Sequence, residues 1–219
     1  MYNMKIKSVF LHVLFFITIS FVFLFVLFPG KKIAEYFSYS LTNPDTNVSV
    51  NIENTKPAIP LGLKLKKIKL LLNQDINVVL ESFKISFSPG SIFRKDNKNG
   101  TIYIQNGSVK IKNSLISYII PEINFSNIDL EFKQLSKKKM TIECFTEGQI
   151  NVELQGDIEF ASSVQDAMLN LTGVILPDSP YLQKFSTMPI IKSKVKNISE
   201  NGIKFNIKGV LENPKIEII

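Results

Sequence analysis

Twenty consecutive residues without a charge, Val9 to Phe28 (VFLHVLFFITISFVFLFVLF), constrain this chain more than any other feature in it. Of its 17 phenylalanines, Phe10, Phe15, Phe16, Phe21, Phe23, Phe25 and Phe28 fall in this run. A hydrocarbon core about 30 Å thick needs about 20 apolar residues of helix to cross it. A helix in a soluble core is usually shorter and keeps a polar face. A cleavable signal peptide has an apolar stretch of about 7–15 residues and then a small-x-small cleavage site. Here the run is longer and ends in Phe28-Pro29-Gly30-Lys31-Lys32, which lacks that site. The reading is a retained single-pass anchor over 9–28, with Val9, Phe10, Leu11 and the phenylalanines as its lipid-facing residues.

Lys5 and Lys7 precede the run and Lys31 and Lys32 follow it, so the positive-inside rule gives little preference. The short tail, 1–8, and the long chain downstream favour a cytoplasmic N-terminus and a domain on the far side. His12, the single histidine, lies inside the run, where only Thr18 and Ser20 offer polar company. A proton relay needs partners at membrane depth, so a neutral imidazole near the headgroups is the reading. Cys144 is the single cysteine, which excludes an intramolecular disulfide. It shares a strand face with Met140 and Ile142, as a small core residue would.

Segment 29–45 reads as juxtamembrane. Ile33, Phe37 and Leu41 recur every four residues, the spacing of a short amphipathic helix lying near the membrane surface. Thr42-Asn43-Pro44-Asp45 breaks it.

From 46 to 219 the dominant period is two. Val48, Val50 and Ile52 alternate with polar residues, as do Ile128, Leu130 and Phe132, and Ile150, Val152 and Leu154. Such alternation means antiparallel strands with one face buried and one wet. Turn signals fall at Asn73-Gln74-Asp75, Ser88-Pro89-Gly90, Asn99-Gly100, Gly148, Gly156 and Asn201-Gly202, and Asn106-Gly107 reads as a two-residue hairpin. In Leu63-Lys-Leu-Lys-Lys-Ile-Lys-Leu70 the apolar pairs are out of phase unless a β-bulge sits at Lys66-Lys67. Asp178 to Met188, with Pro180 in its first turn, Asp178 or Ser179 as N-cap and Pro189 as terminator, is the one short helix expected beyond the juxtamembrane segment. The predicted fold is mainly β: one N-terminal transmembrane helix, then a curved antiparallel sheet with one or two short helices. Alternation alone leaves a closed barrel, a sandwich and an open sheet all in play.

The chain lacks a phosphate-binding Gly-rich loop, HExxH, CxxC and GxSxG. Without a histidine beyond the anchor there is no base for Cys144, so the expectation is no enzyme, no metal, no cofactor and no small-molecule substrate. The formal charge of +7 is not interleaved with aromatics, which argues against nucleic acid. It suits anionic lipid or an acidic protein surface. Lys31, Lys32, Lys64, Lys66, Lys67 and Lys69 are the candidate headgroup or partner contacts, although lysines on a wet strand face have the same appearance. Lys64, Lys66, Lys110 and Lys112 are available to guard sheet edges.

The anchor ending in Phe28-Pro29 is followed by Ile59-Pro-Leu-Gly-Leu-Lys-Leu-Lys-Lys-Ile-Lys-Leu70, then Ser86-Phe-Ser-Pro-Gly-Ser-Ile-Phe93, the Gly-bounded stretch Gly100–Lys112, and Gly209-Val-Leu-Glu-Asn-Pro-Lys-Ile-Glu-Ile218. This order resembles the type II secretion system protein N family (GspN), in the branch sharing the AsmA-like β-sheet architecture. The resemblance implies a non-enzymatic component of a bacterial inner membrane, cytoplasmic at its N-terminus and periplasmic in its domain, working with other secretion proteins. AsmA-like lipid handling, with an apolar β-groove for acyl chains, is the alternative. In the first case the apolar faces close on each other as a core, and in the second they leave a trough.

Overall fold

A computed structural model describes residues 2–43, 47–59, 61–73, 75–92, 98–112, 122–161, 166–186 and 202–219, with side chains left aside at 2–11, 21, 24, 92 and 184–186. Helix α1 (Tyr2–Val26) is followed by α2 (Gly30–Leu41) and three strands, β1 (Val48–Ala58), β2 (Gly62–Leu72) and β3 (Ile76–Phe87). A single turn, α3 (Pro89–Ile92), leads to β4 (Asn99–Ile111), β5 (Glu122–Ser136), β6 (Lys139–Gly148), β7 (Val152–Glu159) and β8 (Met168–Ile175). Helix α4 (Pro180–Ser186), β9 (Ile203–Val210) and β10 (Lys215–Ile218) complete it. Among the described residues no helix is long and apolar enough to cross a membrane. The backbone of α1 stops at Val26, so Leu27 and Phe28 of the expected anchor lie beyond it.

The ten strands form one antiparallel sheet in sequence order, β1 to β10, each bonded to its chain neighbours. The architecture is therefore an open meander with β1 and β10 as edges. Three turn signals have other uses. Asn99-Gly100 opens β4, Gly156 lies inside β7, and Asn106-Gly107 runs through the middle of β4 rather than folding it into a hairpin.

The reason lies in a crease. The β1–β2 ladder passes from Ile52↔Ile68 to Asn54↔Lys66, leaving Glu53 and Lys67 outside it. The next ladders skip Glu81 against Lys67 and Asn106 against Glu81. Ser126 is then left opposite Asn106, and the β5–β6 register shifts between Phe125 and Asn127. One residue in each of five adjacent strands thus stands out of the pairing, in a row. Lys67 and Asn106 take the left-handed conformation, at φ 50° and 48°. The phase change expected at Lys66-Lys67 is present, but not as a bulge there: Glu53, Lys67, Glu81, Asn106 and Ser126 drop out one against one with the register kept, and the shift appears only between β5 and β6. The row shifts the side-chain phase by one in every strand it crosses, so Leu65 and Ile68 both join one apolar cluster, as do Leu80 and Phe83. On the polar side the row ties itself together. Lys67 Nζ lies 2.9 Å from Glu53 Oε2, Asn106 Nδ2 donates to Glu81 Oε2 at 2.6 Å, and Ser126 Oγ donates to Glu147 O at 3.1 Å.

Helix α2 runs along the edge of β1. Gly30, Ala34, Ser38 and Thr42 recur every four residues, so one stripe of small side chains faces the strand. A Cβ on Gly30 would meet Thr55 O, and Ala34 is fully buried. Ile52 N–H donates to Ser38 Oγ at 2.8 Å and Val50 N–H to Thr42 Oγ1 at 3.0 Å. Two backbone donors that an edge strand would present to solvent are therefore satisfied. The expected helix is real, but its polar stripe is engaged with the sheet. Phe37 packs with Val50, Ile52 and Ile68. The lysines proposed as edge guards lie elsewhere: Lys64 and Lys66 on β2, Lys110 on β4, and Lys112 just after β4, all strands with neighbours on both sides. Of the helix expected over Asp178–Met188, α4 covers Pro180–Ser186, and Met188 and Pro189 lie outside the described residues. Ser179 stands at the N-cap place, its carbonyl accepting from Gln183 N–H at 3.1 Å, while its hydroxyl donates to Leu176 O at 2.7 Å and accepts from Asn151 N–H at 2.9 Å.

The crease makes the left-handed backbone at Asn106 a requirement. Asn106→Val should lower the urea-unfolding free energy by about 1–2 kcal/mol, since a β-branched residue at positive φ is strained. Asn106→Gly should stay within about 0.5 kcal/mol of the parent. Equal unfolding midpoints for the two variants would remove the crease from the account.

Candidate functional site: the apolar face of the sheet

Strand registers assign every side chain to one of two faces. Val48, Val50, Ile52, Thr55 and Pro57 of β1 share a face with Leu63, Leu65, Ile68, Leu70 and Leu72 of β2. The ladders carry that face through Leu80 and Phe83, Ile102 and Ile104, Ile128, Leu130 and Phe132, and Met140, Ile142 and Cys144. It continues through Leu154 and Ile158, Leu169 and Leu171, and Phe205 and Ile207, to Ile216 and Ile218. Thr55, Gln134 and Thr146 are its polar side chains, and no Asp, Glu, Lys or Arg falls on it. At about 4.8 Å per strand it is roughly 43 Å wide.

Three phenylalanines lie flat on it over glycines of the neighbouring strand. A Cβ on Gly100 would meet the Phe132 ring, one on Gly107 the Phe125 ring, and one on Gly173 the Phe205 ring. Each pair is directly cross-strand. The glycines make room for rings that would otherwise stand up from the sheet. Phe87 meets Phe132 edge to face, with ring centres 5.9 Å apart.

Cover over this face is local. Ala34 and Phe37 of α2 pack on the β1–β3 end, where Val50, Ile52 and Ile68 are buried. A second buried group, Ile142, Leu169 and Leu171, lies on β6 and β8. Between them, the apolar side chains that β3, β4 and β5 set on this face, from Ile76 to Phe132, are half-buried and none is fully buried. A second packed layer would bury them. Among the described residues no second sheet lies over this face.

The opposite face carries the charge. Lys66, Lys67 and Lys69 of β2 are exposed there and Lys64 is half-exposed, with Lys67 paired to Glu53. Lys31 and Lys32 stand exposed on the first turn of α2, so the six candidate lysines are divided between two elements. A shallow groove over β5–β8 gathers Asp129, Glu131, Glu143 and Glu153. Among the described residues no group of three His, Cys, Asp or Glu could hold a metal ion. Lys139 lies 3.0 Å from Asp157 Oδ2, and its hydrogen bond and attraction to that carboxylate raise its pKa. In the expected anchor, Phe15, Phe16 and Phe23 are 66 %, 72 % and 55 % exposed, and Phe25 and Phe28 are half-buried.

Sequence reasoning found the alternation and held a continuous apolar trough as one alternative, without the strand order that now carries one face across all ten strands. The signal was present as paired polar residues, Lys66-Lys67 and Gln105-Asn106, which interrupt the period of two. Comparison of the chain with protein-family models, curated proteins and solved structures finds no match.

Burial, and then the Asp129 carboxylate, push the Cys144 thiol above its ordinary pKa. The folded state therefore holds this proton more tightly than the unfolded state. Its contribution to stability is present below the ordinary thiol pKa and is lost as pH rises through the raised value. At pH 8, iodoacetamide should alkylate Cys144 at least about tenfold more slowly than it alkylates the urea-unfolded chain. Equal rates would place the thiol in solvent.

Proposed function

We propose that this chain is a membrane-anchored, non-enzymatic lipid-binding protein whose apolar sheet face takes acyl chains. One observation carries the reading: an uncharged face continues across ten strands, and its middle third is half-open among the described residues. A half-open apolar surface that no second layer covers is costly in water and marks a binding site. An acyl chain supplies the missing layer without hydrogen-bond demands, which suits a face almost devoid of polar side chains.

The N-terminal helix supports the choice of lipid. In sequence, the twenty uncharged residues Val9–Phe28 match the about 20 that a helix needs to cross a core of roughly 30 Å. From Val13 to Ile17 five successive apolar side chains are about half exposed or more, so the apolar surface surrounds the helix. A helix apolar all round belongs in a protein core or a bilayer. On this reading 9–28 anchors the chain in a bacterial inner membrane, with 1–8 cytoplasmic and the sheet in the periplasm. Lys31 and Lys32, exposed just past the anchor, lie where headgroup phosphates would be.

Membership in the secretion-protein family is a second proposal and rests on the motif order quoted above. There the same face would meet another envelope protein instead of lipid.

Chain purified in mild detergent should carry phospholipid detectable by mass spectrometry after extraction. Leu130→Glu, on the half-open middle of the face, should weaken uptake of a fluorescent phospholipid at least about tenfold, equivalent to about 1.4 kcal/mol. Lys133→Glu, on the polar face of the same strand, should leave uptake unchanged. A lipid-free chain that is indifferent to both changes, and that co-purifies with secretion components, would replace the lipid reading with the secretion one. Separately, alkaline phosphatase fused after Ile219 should be active in cells, and inactivity there reverses the orientation.

A further inference from the structure

The two edges of the sheet are unequal. The β1 edge is occupied by α2 and the residue that caps its C-terminus: the Ser38 and Thr42 hydroxyls accept from Ile52 and Val50 N–H. At the other edge, β10 comes last in the sheet order, and among the described residues no strand pairs with its outer side. Its four residues are all exposed, Ile216 at 67 % and Ile218 at 75 %. Ile219 N–H donates to Lys204 O at 3.0 Å. By the alternation of an antiparallel ladder, Lys215 and Glu217 then turn their backbone groups toward β9, while Ile216 and Ile218 turn theirs to the free edge. Pro214 precedes the strand, and no proline or bulge interrupts it.

We propose that β10 pairs antiparallel with β10 of a second copy of this chain, in the register centred on Ile216. The reasoning is by elimination and charge. Adding β10 of one copy to β1 of another would build an open filament, and α2 blocks it. Pairing β10 with itself about a two-fold axis closes after two copies. Paired residues share a face, so keeping the apolar residues together allows the centre to fall on Ile216 or on Glu217. Centred on Glu217, that carboxylate opposes its own copy. Centred on Ile216, Lys215 of each copy opposes Glu217 of the other, and opposite charges across a strand pair stabilise where like charges repel. Ile216 then exchanges both backbone hydrogen bonds with its counterpart. Ile218 opposes Pro214, whose missing N–H ends the ladder there. The two apolar faces come to lie on the same side, side by side.

The full chain in detergent should sediment as a concentration-dependent dimer. Glu217→Lys, which sets lysine against lysine, should weaken the dimer about tenfold. Adding Lys215→Glu to it should restore parental strength. In a Cys144→Ala background, Ile216→Cys should cross-link to itself on oxidation, because facing Cα atoms in a hydrogen-bonded pair lie about 5.5 Å apart, within disulfide reach. Ile218→Cys should not cross-link. A monomer at every concentration overturns the proposal, and so does a dimer indifferent to both charge changes, a cross-link at position 218 instead of 216, or an edge taken by another protein's strand. Circular dichroism on each variant separates loss of pairing from loss of fold.

Discussion

Everything in this fold depends on phase. A strand has two faces, and a slip of one residue moves its whole apolar set from one to the other. A ten-strand meander keeps one apolar face only if nine successive ladders agree. Five strands carry one residue too many for this, and all five discard it along the same row, at Glu53, Lys67, Glu81, Asn106 and Ser126. A lone bulge would put two neighbouring strands out of step. The aligned row keeps every pair in step and lets each strand change phase together with its neighbours. The left-handed backbone at Lys67 and Asn106 is the local cost of that alignment.

The crease also divides labour between the two faces. On the polar side it gathers residues that satisfy one another, Glu53 with Lys67 and Glu81 with Asn106. Such exposed pairs contribute little to stability, about 0–1 kcal/mol each. Their value is positional, because they hold the extruded side chains away from the apolar side. That side stays free of charge up to the β10 edge, and the proposals for lipid and for self-pairing both draw on this.

Much of this was legible in the chain. The period of two identified the strands, and the out-of-phase leucines around Lys66-Lys67 identified the phase change though not its form, because a periodic pattern records its own interruptions. Asn106-Gly107 misled for a physical reason. A tight primed hairpin turn and the crease at Asn106 both use positive φ, and Asn satisfies either. Only the partner strands, which continue through the region, distinguish the two. The edge-capping stripe Gly30, Ala34, Ser38 and Thr42 was hidden for a different reason. Amphipathic reasoning follows the large apolar residues Ile33, Phe37 and Leu41, whereas contact with a strand edge selects small side chains and hydroxyls. The antiparallel sheet was expected, but alternation left an open sheet beside a barrel and a sandwich, because it reports that a face is apolar and is silent on what lies against it.

Capping at the β1 edge has a temporal consequence. A meander in which each strand pairs with its chain neighbours closes mostly short loops, so its strands can add one at a time in chain order. Growth of that kind needs a starting edge that does not recruit other chains while the rest is still being made. Helix α2 precedes β1 in the chain and covers its outer donors, so the first hairpin can form with one side already closed. Extension then has a single direction, away from α2, and the order of synthesis becomes the order of assembly.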